Sequence, residues 1–185
     1  MYFTDYFQIS PEILEEYGAL NISLLSDLPL FIDPFLLFNN SSNASYQTLH
    51  EQIIQYMIFL KNLSNSDANT DLRLQHLYQF PEIKQNWLGF AKSQNNGRGL
   101  GSQFAKLLDA NLKSIFRNFG EEEITTTSHI EKLTLISDGV GRDFISDFTT
   151  NLILDYLLTY TESFVIKHLE SKYLKKFSIR STVVV

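Results

Sequence analysis

The stretch "SDGVGRDFISDFTTNLILDYL", residues 137–157, is predicted to join a glycine-containing turn to the start of a long apolar helix. The pattern predicts the longest helix of the chain, from about Arg142 or Asp143 to Leu174. Apolar residues recur after residue 143 at the three- and four-residue spacing of one helix face. These residues are Phe144, Ile145, Phe148, Leu152, Tyr156 and Leu157. Such a face has to be buried against other elements, so the stretch also predicts a helical core.

The polar residues of the same stretch have two interpretations. Asp143, Asp147, Asn151 and Asp155 are four residues apart and would form a slowly drifting stripe along the helix. Together with Asp138, the first three of them supply the oxygen ligands that a hard cation such as Mg²⁺ or Mn²⁺ prefers. In the other interpretation, the stripe is the solvated face of an amphipathic helix, and Asp138 is an ordinary turn residue. The sequence leaves both open.

Glycines precede two of the predicted helices, and each group of glycines includes a Gly-Arg pair. Gly139, Gly141 and Arg142 come before the long helix, where free backbone N–H groups favour an anion. The loop "NNGRGLGS" (95–102) precedes another helix and lacks the spacing of a P-loop. Its candidate phosphate-binding residues are Gly97, Arg98, Gly99 and Gly101. If the two junctions lay close together, they would form a paired anion site; otherwise both are surface turns.

Helical signals recur along the rest of the chain. Pro11 marks the first turn of a helix that Gly18 is expected to end. Residues 20–38 contain two prolines and read as irregular or short extended segments. Capping residues and apolar spacing predict further helices at about 46–63, 71–79, 81–90, 102–119 and 128–136.

These elements predict a mainly α protein, a single-core bundle of six or seven helices. A small β element from residues 20–32 and 178–185 is also expected. We interpret residues 1–185 as one α-rich domain, the N-terminal part of a longer protein. The reason is that Val183, Val184 and Val185 would otherwise leave an unpaired apolar edge.

Composition excludes several classes of protein. The chain has no cysteine, which excludes a disulfide scaffold, a thiolate zinc site and a cysteine nucleophile. Its formal net charge of −6 disfavours broad nucleic-acid binding and leaves only contacts through local basic loops. The longest apolar runs are interrupted by acids and prolines, so we expect no membrane association and a cytoplasmic location.

The segment "KHLESKYLKKFSIR" (167–180) is locally basic in this acidic chain. It is the best candidate surface for an acidic partner, although a helix C-terminus favours cations for local reasons as well. The candidate partner residues are Lys167, Lys172, Lys175, Lys176 and Arg180.

Three stretches resemble the N-terminal part of a family of longer, largely uncharacterised bacterial proteins. They are "GALNISLLSDLPLFIDPFLLF", "NGRGLGSQFAKLL" and "DGVGRDFISDFTTNLI". The first stretch contains the sequence Phe-Ile-Asp-Pro, which we call the first box. The third stretch contains Asp-Gly-x-Gly-x-Asp-x-Ile-Ser-Asp-x-Thr-Thr-Asn, which we call the second box. The resemblance implies an association with phage-defence loci and gives weight to Asp33, as well as to the aspartates and Asn151 of the second box.

Three functions are compatible with these observations. The favoured prediction is a binding or scaffold module of a bacterial multi-component assembly, of an antiviral kind, with a protein partner. The first alternative is a divalent-metal-dependent, nuclease-like phosphodiester enzyme that uses Asp138, Asp143 and Asp147 with Mg²⁺ or Mn²⁺. The second is a nucleotide-sensing domain that uses the two glycine loops. The sequence contains no recognised catalytic motif, so whether the protein is an enzyme stays open.

Overall fold

The computed structural model describes residues 1–26, 28–40, 42–66, 70–81, 83, 100–118 and 141–176. The prediction of a mainly α protein is confirmed. The described residues form eight α-helices and one 3-10 turn at Ser171–Tyr173. The helices are α1 (Phe3–Phe7), α2 (Pro11–Tyr17), α3 (Pro34–Asn39), α4 (Ala44–Ser64), α5 (Thr70–His76), α6 (Ser102–Asn118), α7 (Arg142–Leu152) and α8 (Leu154–His168).

Two short helices lie where the sequence did not predict them. α1 was not predicted at all, and α3 lies in the stretch that we expected to be irregular. Pro34 does not prevent α3, because it occupies the first helical position, where its missing N–H costs nothing. The predicted helix at 128–136 and nearly all of the one at 81–90 fall outside the described residues.

The expected long helix from about residue 142 to residue 174 is wrong in two respects. It is interrupted at Ile153, where φ is −106° and ψ is 19°. Hydrogen bonds from Ile153 N to Thr149 O (3.0 Å) and from Leu157 N to Ile153 O (3.1 Å) continue across this interruption. The second half then ends at His168, because Leu169 turns extended and packs with α1 and α2.

The main core lies between α3, α4, α6 and α7. Phe80 and Leu100 extend this core between the helices, joined by two backbone hydrogen bonds of 3.0 and 2.7 Å. The largest fully buried apolar side chains are Tyr78, Phe80, Phe148, Ile53, Leu60 and Leu112. The face predicted for the long helix is confirmed, since its apolar residues belong to this core or pack against it.

A smaller apolar cluster attaches α1 and α2 to α8. Phe164 is its centre, buried with Ile9 and Leu14. Beside it, the Tyr17 hydroxyl donates to the Tyr160 carbonyl oxygen at 2.8 Å, and the Tyr160 hydroxyl donates to the Tyr17 carbonyl oxygen at 2.5 Å. Gly18 ends α2 as predicted, with φ of +82°, a conformation that favours glycine.

The N-terminal part of the predicted β element forms isolated bridge residues, at Ser23 and Leu30, instead of a strand. Ser23 pairs with Tyr2, and no strand occurs in the described part of the chain. Residues 178–185, the other half of the prediction, lie outside the described residues. Within the described residues, no helix has both the length and the apolar content needed to cross a membrane.

We expect Tyr56→Phe to make the protein less sensitive to alkaline pH. Tyr56 is buried in the main core, and its hydroxyl donates to the Leu77 carbonyl oxygen at 2.8 Å. Burial raises the pKa of Tyr56 from 10.0 to about 12. Ionisation is therefore easier in the unfolded chain, so the folded state loses stability as the pH rises from about 10 towards 12, by up to about 2–3 kcal/mol.

The measurement is urea unfolding at neutral pH and at several pH values above 10. At neutral pH, Tyr56→Phe should cost about 1 kcal/mol, the value of one hydrogen bond. Above pH 10, its stability should fall less steeply than that of the unmodified protein. Tyr6→Phe, at an exposed position, is the control. An equally steep fall for Tyr56→Phe would contradict the prediction.

Candidate functional site

The two boxes that carry the family resemblance contact each other in the fold. The Ile32 backbone N–H of the first box donates to the fully buried Ser146 Oγ of the second at 2.9 Å. The guanidinium of Arg142 lies 4.8 Å from the centre of the Phe31 ring, within range of a cation–π interaction. Residues separated by more than a hundred positions are therefore held together by a polar and an aromatic contact.

Asp33, the acidic residue of the first box, caps α3. Its Oδ1 accepts a hydrogen bond from the Phe35 backbone N–H at 2.9 Å, and Pro34 follows at the first helical position. This is the usual arrangement of an Asp-Pro helix start. The carboxylate is exposed, and its observed contact accounts for an aspartate at this position without a ligand.

The starts of α7 and α6 carry the predicted anion-binding residues that the structure describes: Gly141 and Arg142 at α7, and Gly101 at α6. Gly141 is the N-cap residue, in an extended conformation and without a side-chain cap. Arg142 and Asp143 are both exposed. Partial burial raises the pKa of Asp143, and the neighbouring positive charge of Arg142 opposes that shift. Gly101, at the start of α6, is exposed, and a Cβ added at Gly101 or Gly141 would meet no atom within 4 Å.

The predicted polar stripe, which runs along α7 and reaches α8 at Asp155, does not face solvent along its whole length. Asp143 and Asp155 are exposed and Asp147 is half-buried, but Asn151 is only 3% exposed. The Asn151 Nδ2 atom donates to the Pro81 carbonyl oxygen at 3.1 Å and to the Asp147 carbonyl oxygen at 2.9 Å. Asn151 therefore ties α7 to the segment that follows Phe80, which is a structural role.

Of the predicted metal ligands, Asp143, Asp147 and Asn151 lie on α7, and Asp138 lies outside the described residues. In the described ranges, no group of three or more histidine or acidic side chains is arranged to hold a metal ion. Gly97, Arg98, Gly99, Gly139 and Arg180 also lie outside these ranges. The nuclease-like and nucleotide-sensing functions, which depend on these residues, stay predictions.

Sequence reasoning missed a group of buried polar residues on α7. Ser146, Thr149, Thr150 and Asn151 are all at most 4% exposed. The hydroxyls of Thr149 and Thr150 have no hydrogen-bond partner among the described residues. Their spacing in the sequence could have indicated the burial. Thr149 and Thr150 follow Ser146 by three and four residues, which places all three on the side of the helix near the core residue Phe148. Four polar residues of the second box therefore lie in the interior of the fold.

The predicted partner segment lies beside α1. Tyr173 packs its ring edge-on against Phe7, with centroids 5.1 Å apart, and lies 6.2 Å from the Tyr6 ring. The Lys172 ammonium lies 4.9 Å from the centre of the Tyr173 ring and 2.9 Å from Glu170 Oε2. Lys175 and Lys176 follow and are exposed, as is Lys167 in the last turn of α8. We call Tyr6, Lys172, Tyr173, Lys175 and Lys176 the basic–aromatic surface.

A comparison with protein-family models matches residues 8–182, nearly the whole chain and both boxes. The chain belongs to the family described as Domain of unknown function (DUF8370). The matched residues of DUF8370 include the α7 polar group and the lysines of the basic–aromatic surface. Neither a curated protein nor a solved structure matches the chain.

Proposed function

We propose that this chain is a binding module of a bacterial multi-component assembly, of the antiviral kind that the sequence resemblance implies. Its partner is a protein that binds at the basic–aromatic surface. The observation that carries the proposal is the group of exposed tyrosines beside exposed lysines at the junction of α1 with the segment after α8. Tyr6 is 47% exposed and Tyr173 is 37% exposed, and the centroids of their rings lie 6.2 Å apart.

The tyrosines and the lysines of this surface both favour a protein partner. Tyrosine offers a large contact area with few rotatable bonds, so binding through it costs little conformational entropy. The lysines provide positive charge in a chain whose formal net charge is −6, which favours an oriented approach by an acidic surface. By contrast, the polar residues of α7 are largely buried, and their observed contacts are internal.

The test is site-specific photo-crosslinking in the source bacterium. The photoreactive residue p-benzoylphenylalanine replaces Tyr6 in one strain and Phe59 in another. Phe59 is a matched control, an aromatic residue on α4 that is 46% exposed. We expect a discrete protein adduct from position 6 that is absent from position 59. The adduct should disappear in the Lys175→Glu/Lys176→Glu background, and mass spectrometry of the adduct identifies the partner segment.

Two results would contradict the proposal. One is the same set of adducts from positions 6 and 59, which would indicate only random collisions. The other is an adduct at position 6 that persists unchanged after both lysines are reversed. Circular dichroism of the purified Lys175→Glu/Lys176→Glu variant checks that the loss does not arise from unfolding, which is not expected because both residues are exposed and follow the last 3-10 turn.

A further inference from the structure

The local charge of the basic–aromatic surface is opposite to that of the whole chain. Residues 167–176 contain four lysines and one acid, Glu170, whereas the full sequence has 15 lysines and arginines against 21 acids. A positive patch on an acidic protein attracts negative segments locally while the remaining surface repels extended polyanions. This contrast favours a short acidic segment over a long nucleic acid.

Glu170 already occupies the position that an acidic ligand would take on Lys172. Its carboxylate oxygen lies 2.9 Å from the ammonium nitrogen, and the two side chains are 71% and 59% exposed. An ion pair at such exposure contributes little to stability, because water solvates both charges well. A carboxylate from another molecule could therefore replace Glu170 at small cost.

Tyr173 offers at most one face of its ring to a stacking base. Its edge contact with Phe7 has an interplanar angle of 89°, and the Lys172 ammonium lies over one face. Single-stranded nucleic acids are held mainly by bases stacked on open aromatic faces, together with many phosphate contacts. The cations here are lysines, which act as point charges and lack the bidentate geometry with which arginine binds phosphate.

We infer, resting on the proposed function, that the partner contributes an acidic polypeptide segment. Its carboxylates replace Glu170 on Lys172 and pair with Lys175 and Lys176, while an apolar side chain of the segment packs on Tyr6 and Tyr173. The ligand chemistry is that of a glutamate- or aspartate-rich peptide interrupted by leucine or a similar residue. Glu170 sets the affinity by competing for Lys172.

Fluorescence anisotropy of the purified chain tests this inference with defined probes. The probes are a labelled peptide that alternates glutamate with leucine, a peptide of equal length that alternates glutamine with leucine, and an oligothymidine of equal length. The variants are Glu170→Gln, Lys175→Glu/Lys176→Glu and Lys61→Glu/Lys106→Glu. The last is the control, because it makes the same change in net charge at positions on α4 and α6.

We expect the glutamate–leucine peptide to bind and the glutamine–leucine peptide to bind much more weakly. Lys175→Glu/Lys176→Glu should weaken binding by roughly ten-fold or more, and the control reversal by less than about three-fold. Glu170→Gln should tighten binding by roughly two- to five-fold, more at low than at physiological ionic strength.

Three results overturn the inference: no binding of the acidic peptide at low salt, equal effects of the two double reversals, or tighter, lysine-dependent binding of oligothymidine. The last would identify a nucleic-acid surface. Failure of the inference can be told apart from failure of the proposed function. A lysine-dependent protein adduct at position 6 whose crosslinked segment is not acidic would retain the binding module and reject the acidic segment.

Discussion

The substitution Asn151→Asp is expected to lower the free energy of unfolding at neutral pH by about 3–5 kcal/mol. The Asn151 side chain is 3% exposed, and its Nδ2 donates to the carbonyl oxygens of Pro81 and Asp147. A carboxylate has no hydrogen to donate, so it would place a buried negative charge beside two oxygens that have lost their donor. Urea unfolding followed by circular dichroism measures the loss.

The pH dependence of the stability of Asn151→Asp shows whether the buried charge causes the loss. Burial beside two carbonyl oxygens raises the pKa of the new carboxyl in the folded state above its unfolded value of about 4. The stability deficit should be small below pH 4, grow as the pH rises through the folded pKa, and then level off. A protonated carboxyl can donate one hydrogen bond, so about 1–2 kcal/mol of the loss should persist in acid.

Two further variants separate charge from hydrogen bonding. Asn151→Leu removes the donor without adding charge and should show a smaller deficit that is independent of pH. Asn39→Asp makes the same chemical change at an exposed position of α3 and should change stability by less than about 0.5 kcal/mol. If Asn151→Asp lost no more stability than Asn39→Asp, the Asn151 side chain would not be buried and hydrogen-bonded to the Pro81 and Asp147 carbonyl oxygens. In that case, the metal-ligand interpretation of this residue would gain support.

Phe164→Ala is the second substitution with a large expected effect, and we expect the effect to be local. The Phe164 ring is 4% exposed, and its centroid lies 4.9 Å from that of Tyr17 and 6.2 Å from that of Phe3. Truncating a buried phenylalanine costs about 3–5 kcal/mol. The cluster around Phe164 is small, with two other buried members among the described residues, so we expect α1 and α2 to detach before the main core unfolds.

Hydrogen-exchange mass spectrometry provides the measurement. Amides of α1 and α2 should exchange nearly as fast as in an unfolded chain, while those of α4 and α6 keep most of their protection. Phe59→Ala, at a 46% exposed aromatic position, is the control and should leave both regions protected. An equal loss of protection in all four helices would contradict a separate cluster. Because α1 carries Tyr6, Phe164→Ala should also abolish the proposed partner crosslink.

Among the elements, those with strong local signals were predictable from the sequence. α2 begins at Pro11 and ends before Gly18, as the first-turn proline and the glycine indicated. α4 was recognised by apolar residues such as Ile53, Met57 and Leu60, which are buried as a helical face requires. The lysines after α8 were recognised as a candidate surface from composition, but their proximity to Tyr6 was not.

The α7 polar residues show where such reasoning stops. A four-residue spacing establishes that Asp143, Asp147 and Asn151 lie on neighbouring parts of one helix, but it cannot say what packs against them. In the fold, the segment around Pro81 covers Asn151, and the segment around Ile32 covers Ser146. Residues 31–33 and 79–81 belong to no helix or strand, and the spacing of residues along the chain does not indicate that they pack against α7. From the sequence, the same polar residues are therefore compatible with a solvent-exposed helix face and with a metal site.

Patterns along the sequence established the helical class of this protein, both ends of α2 and the absence of cysteine chemistry. These properties depend on spacing, capping and composition, which are local. The fold was needed to show that the second box turns polar side chains inward and that Tyr6 lies beside Tyr173. Each of these features depends on which distant segment packs against a given side of a helix. The free energy of burying that side belongs to the pair of segments in contact, so neither segment reveals it alone.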